Sequence, residues 1–410
     1  MTDGRVLLED SMRPVRVFLR CNGVLFDFLT PNTEHRRLYI ARCCFTGLIM
    51  LITCGHFAFE LIQSVITLFG NEKMSSIAIT WKMALIGASP LLSQYLFFVH
   101  GEQFQQFFEG WKQVETQSSD CFKSVNPKKM TKGLNILKGF ALFLMIVVPI
   151  SYFFFNLQTP NEPIFLSYYP FFRNRFSIFV IASFHTTSSY FMFLYWFLGE
   201  FLFTVFFHHA GCVIEDLVSE VQQCSKLFFS RTLTFIDCQV DCAAMDRFRH
   251  GRPFRRIWQR YETVAHWVNR GNELFGSLIL ASQFVSFIGT IVCIYMSFKR
   301  LKTLPVLAVT WLVICVVFAF RIVLANRLMS HLCLSQAKLK SAIAGLLSAD
   351  WYLLPDEDRQ LLVSFLARLD NEDLAPCPMN LFTVNPTNLL TMLSLIVTYM
   401  VVIFQSDACV

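Results

Sequence analysis

Seven long apolar segments constrain this chain most strongly, because each can cross a lipid bilayer as a single helix. They lie at 43–69, 77–99, 139–155, 177–207, 274–298, 304–320 and 386–405. Crossing about 30 Å of hydrocarbon takes roughly 20 helical residues. Only 16% of the residues are charged and phenylalanine alone occurs 45 times, whereas a soluble domain has about 25% charged residues. The sequence therefore predicts an all-α, polytopic membrane protein with seven transmembrane helices.

Basic residues are distributed unevenly between the connections, and this bias predicts the orientation. If the N-terminus is cytosolic, the inner segments hold 28 lysines and arginines and the outer segments hold 6, with Lys82 inside a span. Basic residues are retained on the cytosolic side of membrane helices. We therefore expect an intracellular N-terminus and an extracellular C-terminus, which is opposite to a G-protein-coupled receptor.

The long inner connections have helical character. Residues 208–273 carry an amphipathic pattern that runs directly out of the fourth span, and 324–375 repeat leucine and isoleucine at helical spacing. The basic run 247–256 is typical of a solvated topological anchor, with contact to membrane lipid as an alternative, and its charge alone does not indicate nucleic-acid binding. We expect one part, 1–323, with six transmembrane helices and a ligand-binding bundle. The second part, 324–410, holds cytosolic anchor helices and a pore-lining seventh helix.

Catalytic and metal-binding patterns are missing from the sequence. The 14 cysteines form no C-x-x-C pair and no His/Cys set with zinc spacing. Nucleotide-binding loops and hydrolase motifs are also absent. His208 and His209 lie at the inner end of the fourth span, where interfacial histidines are common. The sequence predicts no enzyme activity, no cofactor and no metal.

Polar and aromatic side chains are concentrated in the outer halves of the first six spans. Polar groups inside a membrane are costly, so a set of them in one leaflet indicates a cavity for a small organic ligand. Glu60 and Lys82, an acid and a base in consecutive spans, are expected to pair, so that losing either harms folding or gating. The candidate pocket residues are His56, Glu60, Lys82, Tyr152, His185, Tyr190, Tyr295 and Trp311.

The seventh span carries small polar residues on one face. At about 100° per residue, these fall within an arc of about 60°. Such a face suits either close helix packing or a hydrated pore. We predict that Gln405 forms the constriction and that Tyr399 turns away to pack against a neighbour. The predicted pore-lining residues are Thr391, Ser394, Thr398 and Gln405.

The end of the last span is distinctive. Thr398 and Tyr399 are followed by five apolar residues and Gln405. This string closely resembles the signature of insect and other arthropod gustatory receptors, which are relatives of the odorant receptors and their coreceptor. Ser406 stands where that signature usually has Phe. Met400 stands where sugar receptors typically have Glu, so this resemblance does not extend to the sugar-receptor subgroup.

The resemblance implies a tetrameric, ligand-gated, non-selective cation channel opened by a small organic tastant. It implies a homotetramer, or a heterotetramer with related subunits, in the plasma membrane of a sensory neuron dendrite. Two other classes stay open from the residues alone. A receptor that signals through a cytosolic transducer predicts an external N-terminus, against the charge bias. A transporter predicts inverted repeats, which the sequence does not show.

Overall fold

The described part of the molecule is helical. The computed structural model describes residues 36–69, 88, 90–97, 99–117, 135, 139, 175–233, 253–301, 305–350 and 354–408. The regular structure of these residues contains helices and no strand, which confirms the predicted all-α class. The helices are α1 (Arg36–Phe69), α2 (Gly101–Gln117), α3 (Arg175–Leu233), α4 (Pro253–Arg300), α5 (Pro305–Asp350), α6 (Asp356–Asn371) and α7 (Pro386–Ala408), with a short 3₁₀ turn at Pro378–Asn380.

Three helices are far longer than a membrane is thick. α3, α4 and α5 have 59, 48 and 46 residues, which corresponds to roughly 70–90 Å of helix against about 30 Å of hydrocarbon. The fourth, fifth and sixth predicted spans therefore each continue, without a break, into the helical stretches predicted beside them. α7 has 23 residues, which is about one membrane thickness.

Membrane-spanning character is recognisable in several of these helices. Among the described residues, length and composition allow three to cross a membrane, at Leu194–Lys226, Pro253–Lys299 and Trp311–Ser348. Gly47–Ala58 and Pro386–Val402 are shorter apolar helices. These five overlap the predicted first, fourth, fifth, sixth and seventh spans. The second predicted span is described only in part, and the third lies outside the described residues except for residue 139.

α3 is the central helix of the fold. Its side chains from Leu194 to Val221 are almost all buried, and they include Phe201, Phe203 and Phe206. A helix that is apolar on all sides must be surrounded by other helices. α3 accordingly contacts α1, α4 and α5, and it forms the middle of the main apolar core.

α4 and α5 are antiparallel neighbours, as the short connection between the fifth and sixth spans predicts. Contacts pair later residues of α5 with earlier residues of α4: Cys315 with Thr290, Asn326 with Gln283, and Gln336 with Tyr261. The two helices therefore run side by side through the membrane part and beyond it.

The ends of the long helices that extend beyond the predicted spans pack into a compact unit, which we call the anchor bundle. It comprises 205–226 of α3, 253–272 of α4, 322–350 of α5, all of α6 and the segment 372–384. Phe365 of α6 stacks on Trp258 with ring centroids 5.5 Å apart and planes at 7°. The predicted helical repeat of α5 faces inward here. Its buried members are Leu328, Leu332, Leu339, Ile343 and Leu346.

Candidate functional site

α7 begins at a well-formed cap. The side-chain oxygen of Asn385 accepts a hydrogen bond of 2.8 Å from the backbone N–H of Asn388, which satisfies a donor that the first helical turn leaves open. Pro386 occupies the first helical position, where its missing N–H costs nothing. The helix start predicted from the sequence is therefore present.

The two faces of α7 differ in what they contact. Ile396 and Met400 are buried against α4, in a cluster with Tyr295 and Met296. The polar residues lie about 180–220° around the helix from these two. All of them are exposed in the single chain: Thr387, Thr391, Ser394, Thr398 and Gln405.

Two hydroxyls of this polar face bond to the backbone of their own helix. Thr391 donates to the carbonyl of Thr387 at 3.2 Å, and Thr398 donates to the carbonyl of Ser394 at 3.0 Å. A hydroxyl bonded to its own helix keeps acceptor capacity for water or an ion. The face therefore points away from its own subunit and can line a hydrated path.

Gln336 of α5 fixes the segment that leads into α7. Its side-chain N–H group donates to the carbonyl of Glu372 at 2.5 Å and to the Tyr261 hydroxyl at 3.1 Å. Its side-chain oxygen accepts from the backbone N–H of Leu374 at 2.9 Å. One buried amide thus joins α4, α5 and the segment 372–384.

Asn272 of α4 holds the same segment from the other side. Its amide donates to the carbonyl of Ala375 at 3.2 Å and accepts from the backbone N–H of Cys377 at 3.0 Å. The chain then turns through Met379 and Asn380, which have φ of 51° and 59°, a conformation that side chains disfavour. Gly276 makes room for this turn, because a Cβ there would lie 3.0 Å from the Met379 nitrogen.

A charged network covers the outside of this junction. Arg368 of α6 bonds to Glu262 of α4 at 3.1 Å and to Glu372 at 3.0 Å. The hydrogen bond to Glu262, with the nearby charge of Glu372, raises the pKa of Arg368 above its ordinary value. Because Arg368 is largely exposed, we assign this network a small share of the stability.

Two of the predicted pocket residues lie beside α7. Tyr295 is buried and Trp311 is half-buried, and both belong to the apolar cluster that contains Ile396 and Met400. The ring of Tyr295 lies 6.1 Å from that of Phe404. These side chains therefore join the predicted ligand region to the second half of α7.

The other predicted pocket residues are dispersed or lie outside what the structure describes. His56 of α1 is buried, and Tyr190 of α3 packs on the main core. His185 and Glu60 lie on α3 and α1, but the placement of their side chains is not described. The remaining two, Lys82 and Tyr152, fall outside the described residues, so the predicted Glu60–Lys82 pair stays a prediction.

A buried charged cluster was missed by the sequence reasoning. Arg321 of α5 forms an ion pair with Glu200 of α3, and Ser282 of α4 donates to Glu200 at 3.1 Å. The Arg321 guanidinium also lies 3.7 Å from the ring centre of Trp196. Glu200, an acid within the fourth apolar span, is the sequence signal that could have indicated this pair. The predicted end of the sixth span at 320 placed its partner, Arg321, outside the membrane.

Comparison with known proteins identifies the family. A family model described as "7tm Chemosensory receptor" matches residues 12–408. No curated protein sequence matches the chain significantly. The fold is similar to that of the insect olfactory receptor OR5 from Machilis hrabei, with a TM-score of 0.66, 14% identity and coverage of 97% of this chain and 100% of that chain. For the same receptor in complex with eugenol, the TM-score is 0.62 and the identity is 14%, with coverage of 97% of this chain and 98% of that chain.

The family match confirms both the sequence resemblance to insect chemoreceptors and the prediction that the protein is not an enzyme. The chain belongs to the 7tm chemosensory receptor family, whose members are receptors.

Proposed function

We propose that this protein is a gustatory receptor that works as a tetrameric, ligand-gated, non-selective cation channel. The observation that carries the proposal is the polar face of α7, which is exposed along the helix and lies opposite the face that packs on α4. A transmembrane helix that shows polar groups to lipid would be unstable, so this face requires water or other subunits.

Four copies of α7 around an axis account for that face. Thr391, Ser394 and Thr398 line the path, and Gln405 forms a ring at the constriction. With the C-terminus outside, the negative end of each helix dipole and Asp407 face the outer mouth. This arrangement attracts cations and repels anions. Because hydroxyls and amides carry no net charge, selectivity among cations is weak.

The effect of ligand binding is transmitted to the pore by the apolar cluster that contains Tyr295 and Trp311. Both side chains pack in the cluster that holds Ile396 and Met400 of α7. A small organic molecule that displaces either ring therefore moves α7 directly. A receptor of the same fold, OR5 from Machilis hrabei, is known in complex with the small organic molecule eugenol, which supports a ligand of this size.

The gustatory assignment rests on the motif at Thr398, Tyr399 and Gln405, together with the resemblance that it carries. The same resemblance supports a location in the plasma membrane of a sensory neuron dendrite, and the bias of basic residues supports a cytosolic N-terminus. Met400 in place of Glu argues for a tastant other than a sugar. The subunits assemble as a homotetramer or with related receptor subunits.

Patch recording from non-neuronal cells tests the proposal. The receptor is expressed alone and with related subunits, and excised patches without nucleotides are exposed to a tastant panel. We expect agonist-evoked cation current, and Thr398→Cys should become sensitive to a cationic thiol reagent in the presence of agonist. Replacing Gln405 with Ala or Glu should change relative permeability or leave the channel partly open.

Two outcomes would contradict the proposal in different ways. Current that requires cytosolic components would favour a receptor coupled to a transducer without its own pore. Unchanged permeability in both Gln405 variants, with Thr398→Cys inert in open channels, would place the pore elsewhere in the fold.

A further inference from the structure

Three metal-ligating side chains meet inside the anchor bundle. The ligand atoms of His208 and Cys212 on α3 and of His331 on α5 all lie within 4.8 Å of one another. The spacing of His208 and Cys212 is i, i+4, which puts both side chains on one face of α3. The imidazole rings of His208 and His331 are 5.0 Å apart between centroids. The sequence did not suggest this cluster because its third member lies on a different helix.

Gly211 allows the approach of His331 to α3. A Cβ at this position would lie 2.6 Å from Nδ1 of His331 and 3.0 Å from the backbone nitrogen of Leu332. Nδ1 of His331 therefore faces the backbone of α3, beside Cys212. This small residue lets α5 approach α3 closely enough for the imidazole of His331 to meet the side chains of His208 and Cys212.

The opposite nitrogen of His331 faces an acid. Nε2 of His331 lies 3.5 Å from a carboxylate oxygen of Glu215, and Glu215 also bonds to Lys338 at 2.9 Å. Histidines that bind metal commonly give their second nitrogen to a carboxylate, which fixes the tautomer and the ring orientation. With Nε2 turned to Glu215, Nδ1 is the nitrogen that lies on the side of α3.

We propose that His208, Cys212 and His331 bind a zinc ion that ties α3 to α5 in the anchor bundle. Two imidazoles and a thiolate are the ligands that zinc prefers, and a water molecule completes a tetrahedral site with three protein ligands. Metal–ligand distances of about 2.0–2.3 Å require the ligand atoms to close by about 1 Å, which side-chain rotation can supply. His208 and Cys212 are buried, so the bound ion is shielded from competing solvent.

Zinc binding has a defined chemical consequence at this place. The ligand sulfur must be a thiolate, so uptake of the ion releases the Cys212 proton to solvent. The ion then crosslinks two helices that both continue into the membrane part. The proposal does not depend on the pore or on the taste ligand, so it can fail or succeed independently of the proposed function.

Metal content and cobalt spectroscopy of the detergent-purified full chain test the site. After washing with a weak chelator, we expect one equivalent of zinc per chain in the native protein. Replacement by Co²⁺ should give a thiolate-to-cobalt charge-transfer band in the near ultraviolet. Cys212→Ser should abolish this band, and His331→Asn should lower the zinc content several-fold. Added zinc should raise the Tm of the native protein and not that of Cys212→Ser.

Cys224→Ser is the matched control, because Cys224 is also a buried cysteine of α3 and lies outside the cluster. It should keep both the zinc and the cobalt band. Folded native protein that shows no charge-transfer band at saturating Co²⁺ would overturn the proposal, even if the variants do not fold. A band that persists in Cys212→Ser would also overturn it, since another thiolate would then be the ligand.

Discussion

The anchor bundle and α7 differ in how much of their apolar surface is buried within the chain. In the anchor bundle each helix buries its apolar stripe inside the same chain, with Leu362, Phe365 and Leu369 of α6 all enclosed. In α7, Ile396 and Met400 are the described side chains that reach full burial. α7 leaves most of its described surface exposed in the single chain.

Polar groups follow the same division. Gln336 and Asn272 bond to the backbone of another segment, whereas the hydroxyls of Thr391 and Thr398 bond to their own helix. Hydrogen bonds between segments hold a structure in one arrangement, while bonds within a helix allow it to move as a rigid body. The bundle thus fixes the segment that leads into α7.

The largest expected effect comes from the buried charge that links the long helices. Arg321→Met leaves Glu200 without its ion pair and removes the contact with Trp196. Removing one partner of a buried pair typically costs about 3–5 kcal/mol. We expect a clear loss of thermal stability in detergent, measured by fluorescence-detected size-exclusion chromatography after heating.

Arg327→Met provides the control for this change, because Arg327 is an exposed arginine of the same helix. It should shift Tm little. The double variant Glu200→Gln/Arg321→Met should recover part of the loss, because no unpaired charge then stays buried. Equal effects of the two arginine variants would show that the buried pair does not stabilise the fold.

A slightly smaller effect is expected at the joint between the anchor bundle and α7. Gln336→Leu removes three hydrogen bonds and leaves the backbone N–H of Leu374 without its acceptor. Buried groups left unsatisfied cost about 1–3 kcal/mol each, so we expect a loss of about 3 kcal/mol. Gln360→Leu makes the same change at an exposed site of α6 and should be nearly neutral in the same Tm measurement.

A Gln336→Leu channel that is as stable as the Gln360→Leu variant would contradict the role of the joint. If Gln336→Leu is less stable but still opens with the native agonist response, the joint stabilises the fold without controlling the pore. In that case α7 would not depend on the anchor bundle for its position.

The helices of this fold can be predicted from the sequence, but the contacts between them cannot. The seventh span and its start at Pro386 could be predicted directly, because apolar length is a local property. The continuity of α3 from 175 to 233 was also foreseeable, since its apolar pattern does not stop at the end of the span.

Sites made by several helices could not be read in this way. The Glu200–Arg321 pair and the His208–Cys212–His331 cluster each join α3 to α5, and their partners are far apart in the sequence. Only the packing of the two helices brings them together. The predicted pocket shows the same limit. It was predicted from position in one leaflet, which does not distinguish residues that share a cluster from residues that do not. Tyr295 and Trp311 share a cluster, whereas Tyr190 packs on the main core.

A moderate effect is expected at the start of α7. Asn385→Ala removes the cap that accepts the N–H of Asn388, which typically costs about 1 kcal/mol. Because this turn joins the fixed segment to the proposed pore helix, we expect a small loss of Tm together with altered agonist sensitivity. Asn385→Asp keeps a capping oxygen and should behave as the native channel, so a defect in both variants would exclude the cap as the cause.

The smallest effect on stability should accompany a specific effect on conduction. Thr391→Val keeps the shape of an exposed side chain and removes the hydroxyl that faces away from the subunit. We expect a stability change below about 0.5 kcal/mol and a lower single-channel conductance, because one polar contact per subunit is lost along the path. Val397→Thr is the reciprocal change on an exposed, apolar part of the same helix, and it should leave conductance unchanged. If Val397→Thr alters conductance and Thr391→Val does not, the face of α7 that lines the path is the one carrying Val397, and the hydroxyl face serves to pack subunits together.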